Sequence, residues 1–345
     1  MNPITFSVVL TSLASEQFLA VSSSHWLLAW MGLEINTLAI IPLMTQHKHP
    51  RAIEASTKYF LTQAAASALL LFSSLNNAWL TGEWSILDLT NPLSCATMTI
   101  AICMKLGLAP FHFWLPEVLQ GLSLTTGLIL STWQKLAPMA ILYQIAPMLN
   151  TPLLLTLGLT STLIGGWGGL NQTQLRKILA FSSIAHLGWM ISILPFSPQL
   201  MILNLTIYLI MTSTMFLVLK TISSTKISSL ATSWSKTPST TALSLLTLLS
   251  LGGLPPLSGF VPKWFIIQEL TSQNTTILAT TLALSALLSL FFYLRLTYIV
   301  TLTSSPNTSN ASLTWRHHSK QPTLLLSIAL ILSSFIIPIS PLTLT

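Results

Sequence analysis

Residues 251–260 read Leu251-Gly252-Gly253-Leu254-Pro255-Pro256-Leu257-Ser258-Gly259-Phe260 and lie in the middle of a long apolar run. A second apolar run contains Lys105-Leu106-Gly107-Leu108-Ala109-Pro110-Phe111-His112 at a similar place. Because proline removes a backbone donor and clashes with the preceding helical turn, each run is predicted to form a helix that breaks in its middle. If the runs cross a membrane, each break frees carbonyl groups that lipid cannot satisfy.

The composition indicates that these runs do cross a membrane. Charged residues make up 6% of the 345 residues, hydrophobic residues make up 52%, and the mean hydropathy is +0.73. A soluble domain carries about 25% charged residues, so the sequence predicts an all-α polytopic membrane protein. The net charge of +7 is spread along the chain and forms no basic patch, which argues against nucleic acid as a partner.

Eleven apolar stretches are long enough to cross about 30 Å of hydrocarbon. The fourth and ninth are the two interrupted runs. The first residues carry no basic segment and no small-residue cleavage site, so we expect no cleaved leader. The predicted spans lie near residues 3–21, 25–44, 57–80, 93–119, 123–145, 149–170, 175–195, 199–221, 241–270, 275–302 and 322–343.

The charges of the loops support this span count. If alternate loops share a side of the membrane, one side carries only Glu83, Asp88 and small polar residues. The positive-inside rule then places the N-terminus on the other, inner side and the C-terminus outside. The basic residues of the inner loops are Lys48, Arg51, Lys58, Arg176, Lys177, Lys220, Lys226, Lys236, Arg316 and Lys320.

The two interrupted spans also predict an internal repeat. They are five spans apart, and since five is odd, the second copy enters the membrane from the opposite side. Interrupted helices at matching positions of inverted repeats are typical of transporter folds. We therefore expect a first five-helix repeat at 1–145, an inverted second repeat at 146–302, an inner loop at 303–321 and a C-terminal helix at 322–345.

Several ionisable residues fall inside the predicted spans. A charged group at the centre of a membrane helix costs at least about 2.5–3.5 kcal/mol, so its default interpretation is functional. Lysine is the basic residue whose pKa shifts readily on burial, and histidine titrates near neutral pH. The pattern predicts a proton relay formed by Glu34, Lys105, Lys135, Lys263, His186 and His112.

Each of these residues also has a purely structural interpretation. Glu34 could form a buried structural ion pair with a lysine, and Lys263 could snorkel towards the interface. His186 and His112 could simply hydrogen-bond between helices. Arg295, near the inner end of the tenth span, is expected to snorkel or to pair with a loop rather than to relay protons.

The sequence contains no recognisable cofactor or metal site. It has no glycine-rich loop that opens a helix, as a phosphate site would need, and no cysteine cluster or histidine pair for iron–sulfur or haem ligation. The pair His317-His318 is too isolated to form a metal site, and Cys95 and Cys103 define neither a disulfide framework nor a metal site. We expect energy to reach the chain from a partner or an ion gradient.

Long motifs in this sequence resemble one known family over essentially the whole chain, namely the antiporter-like subunits of the membrane arm of vertebrate mitochondrial respiratory complex I. The motifs include Gly32-Leu33-Glu34, Lys58-Tyr59-Phe60-Leu61-Thr62-Gln63, Met104-Lys105-Leu106-Gly107-Leu108-Ala109-Pro110-Phe111-His112-Phe113-Trp114, Trp133-Gln134-Lys135-Leu136-Ala137-Pro138, Gly168-Gly169-Leu170-Asn171-Gln172-Thr173-Gln174-Leu175-Arg176-Lys177 and the run at 252–260.

The resemblance implies an antiporter-like fold and a role for four of the ionisable residues. Glu34 and Lys105 would form the coupling pair, Lys135 would be the central lysine, and Lys263 would be the lysine on the second broken helix. It also implies the inner mitochondrial membrane, with the basic loops and the N-terminus in the matrix and the C-terminus in the intermembrane space.

The expected function is proton translocation coupled to electron transfer from NADH to ubiquinone, with no redox activity in the isolated chain. FMN, iron–sulfur clusters and ubiquinone are expected elsewhere in the complex. The expected partners are other membrane-arm subunits, including neighbouring antiporter-like subunits, and membrane lipid such as cardiolipin. Two alternatives stay open: a free-standing cation/proton antiporter, and a structural spacer that moves no protons.

Overall fold

The computed structural model describes residues 3–46, 48–235, 237–303 and 323–335. The regular structure in these ranges is helical, and two 3₁₀ turns, Ala146–Met148 and Thr232–Ser235, join helices. In chain order the helices are α1 (Pro3–Ser22), α2 (Trp26–Met44), α3 (Pro50–Thr81), α4 (Pro92–Leu106), α5 (Trp114–Gly121), α6 (Leu124–Ser131), α7 (Trp133–Ile145), α8 (Thr151–Gly169), α9 (Leu175–Ile193), α10 (Pro198–Ile222), α11 (Ile227–Ala231), α12 (Pro238–Gly252), α13 (Phe260–Ser272), α14 (Thr276–Leu302) and α15 (Leu324–Phe335).

Most of these helices overlap the predicted spans, while α11 lies in the predicted inner loop between the eighth and ninth spans. Among the described residues, four helices are long and apolar enough to cross a membrane, judged by length and composition alone: α1, α2, α10 and α14. The predicted inner loop at 303–321, with Arg316 and Lys320, lies almost entirely outside the described residues, as does Lys236. The same holds for the predicted C-terminal helix beyond residue 335.

Both predicted helix breaks are confirmed, and they have the same length. The first separates α4 from α5 by residues 107–113, and the second separates α12 from α13 by residues 253–259. Each break opens on a glycine in the left-handed conformation, Gly107 with φ 77° and Gly253 with φ 79°. Glycine adopts this conformation without a steric penalty and is the usual residue at such a helix end.

A third interruption was not predicted. The fifth span, expected as one helix, is divided at Thr132 into α6 and α7. The Thr132 hydroxyl donates a hydrogen bond to the Leu128 carbonyl at 2.7 Å, and back-bonding of this kind bends helices. Pro138 in α7 also lacks a backbone donor. The interruption lies three residues before Lys135.

The chain divides into two compact units, Met1–Ser161 and Thr162–Thr345, called the first and second unit below. In the first unit α3 packs against α2, α4 and α5, while α7 packs against α1, α2, α4 and α6. In the second unit α10 packs against α9, α12, α13 and α15, and α14 packs against α9, α12 and α13. The predicted repeat boundary at residues 145 and 146 stays a prediction.

Backbone hydrogen bonds join alternate loops within each unit. In the first unit the Trp26 N–H donates to the Trp84 carbonyl at 3.0 Å, which brings the loop before α2 to the loop after α3. In the second unit the Leu175 N–H donates to the Thr225 carbonyl at 3.1 Å, which joins the loop before α9 to the loop after α10. Alternate loops therefore lie at the same end of each unit, as the argument from loop charges requires.

Candidate functional site

The first unit brings three of the predicted relay residues into its polar interior. Glu34 lies on α2 and is half-buried. Lys105 lies in the last turn of α4 and is 7% exposed, and Lys135 lies in the first turn of α7 and is 3% exposed. The fold therefore places both lysines inside the protein rather than against lipid.

A small cavity of about 20 Å³ has both Lys105 and Lys135 in its lining. A space of this size holds about one water molecule, provided that two to four polar groups can bind it. Besides the lysines, the polar lining residues are Asn36, Thr37, Tyr59, Gln63 and Gln134. The two lysines thus share a polar space that is suited to a single bridging water.

Side-chain amide groups hold the walls of this cavity in place. The Gln134 Nε2 donates to the Asn36 Oδ1 at 3.0 Å and so joins α7 to α2. The Gln63 Nε2 donates to the Lys105 carbonyl at 3.4 Å. The last turn of α4 ends at the break, so its carbonyls lack helical hydrogen-bond partners. The side chain of Gln63 supplies a partner for one of these carbonyls.

Glu34 and Lys105 are electrostatically coupled without contact. The charge of Glu34 acts on Lys105 and on Tyr59. Yet the contact ion pairs of the described residues, with nitrogen and oxygen within 4.0 Å, are the pairs of Lys58 with Glu54 and with Glu117. Among those residues neither the Lys105 Nζ nor the Glu34 Oε2 has a hydrogen-bond partner. The lack of contact therefore favours an electrostatic coupling whose strength can change, rather than a fixed structural ion pair.

Lys263 turns back towards the second break. It lies in the first turn of α13 and is buried, and its Nζ donates to the Gly252 carbonyl at 2.8 Å. The snorkelling alternative is therefore wrong for this residue. Because the two breaks have equal length, Lys263 stands where Glu117 stands in the first unit, whereas Lys105 precedes its break.

The two histidines lie in different surroundings. His186 is buried on α9, and the centroid of its ring lies 5.5 Å from that of Tyr208. His112 lies within the first break, where its ring stands 4.3 Å from Phe113 and hydrogen-bonds to the Pro110 backbone. These contacts favour its structural interpretation.

Arg295 closes the end of α8. Its Nη1 donates to the Leu170 carbonyl at 2.6 Å, one residue beyond the last residue of that helix. A cation is favoured at this place because the carbonyl end of a helix carries partial negative charge. The predicted pairing of Arg295 with a loop is confirmed.

One buried acid was missed from the sequence. Glu16 lies in α1 with 1% exposure, and neither of its carboxyl oxygens has a hydrogen-bond partner among the described residues. Burying such a group without partners is costly. An acidic residue inside a 20-residue apolar helix is the same kind of signal that drew attention to Glu34.

The arrangement is suited to proton exchange. Among the described residues no cluster of three or more His, Cys, Asp or Glu is placed to hold a metal ion. The groups around the cavity can instead pass a proton through water, because an amine and a phenol bind and release protons. The fixed amides of Asn36 and Gln134 can orient that water.

Comparison with known families covers nearly the whole chain. The family profile described as NADH:quinone oxidoreductase/Mrp antiporter, TM, matches residues 23–289. A second profile, described as NADH dehydrogenase subunit 2 C-terminus, matches residues 290–344. The chain is 64% identical over 341 residues to NADH-ubiquinone oxidoreductase chain 2 of Squalus acanthias, covering 99% of this chain and 98% of the relative. The corresponding chain of Salmo salar is 62% identical, with 99% and 98% covered.

Solved structures give the same fold. A chain of respiratory complex I from Thermus thermophilus with bound aureothin matches with a TM-score of 0.82 and 27% identity, covering 98% of this chain and 80% of that chain. A chain of the Mrp complex from Dietzia sp. matches with a TM-score of 0.77 and 18% identity, covering 91% and 64%. At that identity the second likeness concerns the fold alone. The antiporter-like fold that the family resemblance implied is confirmed.

We predict that Gly253→Ala displaces the Lys263 ammonium from the Gly252 carbonyl. The added Cβ would stand 2.8 Å from the Lys263 Nζ and 2.9 Å from its Cδ. It would also strain the backbone by about 1–2 kcal/mol, because an L side chain clashes in the left-handed region. A density map of the purified protein measures the position of Lys263.

Gly82→Ala is the matched control for this change. Gly82 has φ 77° and ends α3, but a Cβ there would meet no atom within 4 Å. It therefore reproduces the strain without the collision, and Lys263 should stay in place. A Gly253→Ala map in which Lys263 still contacts Gly252 would contradict the assignment.

Proposed function

We propose, since this chain belongs to the NADH:quinone oxidoreductase/Mrp antiporter family, that Glu34, Lys105 and Lys135 carry its proton transfer. The chain is an antiporter-like, proton-pumping subunit of a complex I membrane arm and acts as part of an oxidoreductase. It is an integral membrane protein that works with the other subunits of that complex. The steps below go further and concern its own residues.

The observation that carries this proposal is the polar cavity lined by both Lys105 and Lys135. A purely structural spacer has no need of these charges, because each buried ionisable group costs at least about 2.5–3.5 kcal/mol in a membrane helix. A water in the cavity would give the two lysines a route for proton exchange. The separated charge of Glu34 supplies a means of controlling that exchange.

The electrostatic effect of Glu34 on the charge of Lys105 can be estimated from Coulomb's law. Two unit charges at an effective dielectric constant of about 20 attract by roughly 4 kcal/mol at 4 Å and by roughly half of that at twice the distance. Moving two such charges from about 8 Å to about 4 Å apart would thus change the stability of the ammonium charge by about 2 kcal/mol. Such a change is more than a tenfold shift in proton binding. Electron transfer elsewhere in the complex would drive the opening and closing.

We further propose that the chain holds no redox group and lies in the inner mitochondrial membrane. FMN, iron–sulfur clusters and ubiquinone would belong to other subunits of the complex. The basic loops that contain Lys48, Arg51 and Lys226 would face the matrix, because loops rich in lysine and arginine stay on the side of synthesis. Cardiolipin or another anionic lipid would be the lipid partner, attracted by these loops.

Lys135→Met and Glu34→Gln are predicted to leave assembly intact and to lower both electron transfer and proton yield by about tenfold or more. Each change keeps the volume of the side chain and removes its proton exchange, which in catalysis is worth about 10²–10⁴-fold. The measurement is NADH–ubiquinone activity together with protons moved per electron in proteoliposomes that contain the assembled complex.

Glu54→Gln is the control for these variants. Glu54 is an exposed carboxylate on α3 whose pKa is lowered by a hydrogen bond from Lys58, and it lies away from the cavity. Its loss should leave both activities unchanged. Normal proton yield in Lys135→Met and in Glu34→Gln would refute their assignment to the proton path.

A second prediction concerns orientation. Lys226 is exposed in the loop between α10 and α11 and belongs to the basic loop set. A membrane-impermeant amine reagent should label it in inverted inner-membrane vesicles and leave it unlabelled in mitoplasts. Peptide mass spectrometry measures the labelling, and modification of Lys226 in intact mitoplasts would overturn the proposed topology.

A further inference from the structure

Two tyrosines lie buried between the ionisable residues of the second unit. Tyr208 on α10 and Tyr293 on α14 are each 1% exposed. A phenol hydroxyl buried in an apolar core normally has a hydrogen-bond partner. What surrounds these two hydroxyls therefore indicates their use. Because both groups are uncharged, neither tyrosine was predicted as a functional residue.

The first link joins His186 to Tyr208. The two rings lie with their centroids 5.5 Å apart and their planes at 42°. The Tyr208 hydroxyl hydrogen-bonds with the side chains of Ser183 and Thr212. Ser183 stands three residues before His186 on α9, and residues at this spacing share a helix face. The Tyr208 hydroxyl and the His186 imidazole thus lie at the same polar face of α9.

The second link joins Tyr208 to Tyr293. The helices that carry the two phenols, α10 and α14, both pack against α9, where the side chain of Ser182, the neighbour of Ser183, lies beside the Tyr293 hydroxyl. The Tyr293 hydroxyl nevertheless makes no hydrogen bond of ordinary geometry among the described residues. A buried hydroxyl with this spare capacity can bind a water or an arriving proton.

The third link joins Tyr293 to Lys263 through the end of α12. A Cβ added at Gly252 would lie at the ordinary contact distance of 3.7 Å from the Tyr293 Cδ2, so the end of α12 lies beside this ring. The carbonyl of the same Gly252 accepts the hydrogen bond from the Lys263 Nζ. Gly252 therefore lies beside both the ring of Tyr293 and the ammonium of Lys263.

We propose that Tyr293 and Tyr208, with Ser182 and Ser183, form a proton-transfer route between Lys263 and His186. The proposal rests on the proposed function of the chain as a proton-moving subunit. Each hydroxyl accepts a proton on its oxygen from one neighbour and gives up its own to the next. One proton leaves Lys263 and one arrives at His186, or the reverse, with no change of oxidation state. A water carries the proton between Lys263 and Tyr293.

Removing each hydroxyl while keeping its ring tests this route. Tyr208→Phe and Tyr293→Phe in the assembled complex should preserve assembly and thermal stability. Both should lower the protons moved per electron and the coupled NADH–ubiquinone rate by about tenfold. The isotope effect of D₂O on the coupled rate should rise, because proton transfer becomes the slow step. A merely structural hydroxyl would not change that isotope effect.

Tyr298→Phe provides the matched control. Tyr298 lies on the same helix as Tyr293 but is 65% exposed, so its variant should behave as the wild type. If the two core variants fail to assemble, Ser182→Ala decides the matter, because it removes the partner hydroxyl from α9 and leaves both tyrosines. A lowered proton yield with Ser182→Ala supports the route, and an unchanged yield overturns it.

The failure of this route differs from the failure of the proposed function. A wild-type proton yield in both phenylalanine variants, with a reduced yield in Lys263→Met, would overturn the tyrosine route and leave the function standing. A wild-type yield in Lys263→Met and Lys135→Met as well would refute the proton-moving role of these residues altogether.

Discussion

A carbonyl group freed in the middle of a membrane helix has no water to bind, so the protein must supply its partner. This constraint organises both units around their breaks. In the first unit Trp114 donates to the Met104 carbonyl at 3.2 Å and Gln63 donates to the carbonyl of Lys105. In the second unit Lys263 donates to the Gly252 carbonyl. The groups that complete the broken helices therefore also build the polar interior in which protons can move.

The carbonyl end of each half-helix also explains where two of the lysines lie. Aligned peptide dipoles give that end a partial negative charge, which stabilises an ammonium nearby. Lys105 lies in the last turn of α4, and Lys263 reaches the last residue of α12 from the other side of its break. Lys135 lies just after the interruption at Thr132 instead. The two breaks thus have equal length, but Lys105 precedes its break and Lys263 follows its own. The charge distribution around the break therefore differs between the two units.

The breaks and the charges could be predicted from sequence because proline, glycine and ionisable residues are rare in apolar runs and have direct physical effects. The interruption at Thr132 could not, since it depends on a local hydroxyl bond in an otherwise ordinary span. Tyr208 and Tyr293 also escaped prediction, because a neutral aromatic residue is common in any core. The direction of Lys263 depends on how α13 packs, which the pattern of residues does not contain.

The central claim is that Lys105 and Lys135 exchange protons through the cavity that both of them line. A density map of the assembled complex at a resolution that reveals ordered water tests it most directly. The account predicts a water in that cavity within hydrogen-bond distance of at least one lysine Nζ, held by the amides of Gln134 and Asn36. A cavity that is dry, or one filled by an apolar side chain that separates the two lysines, would contradict it.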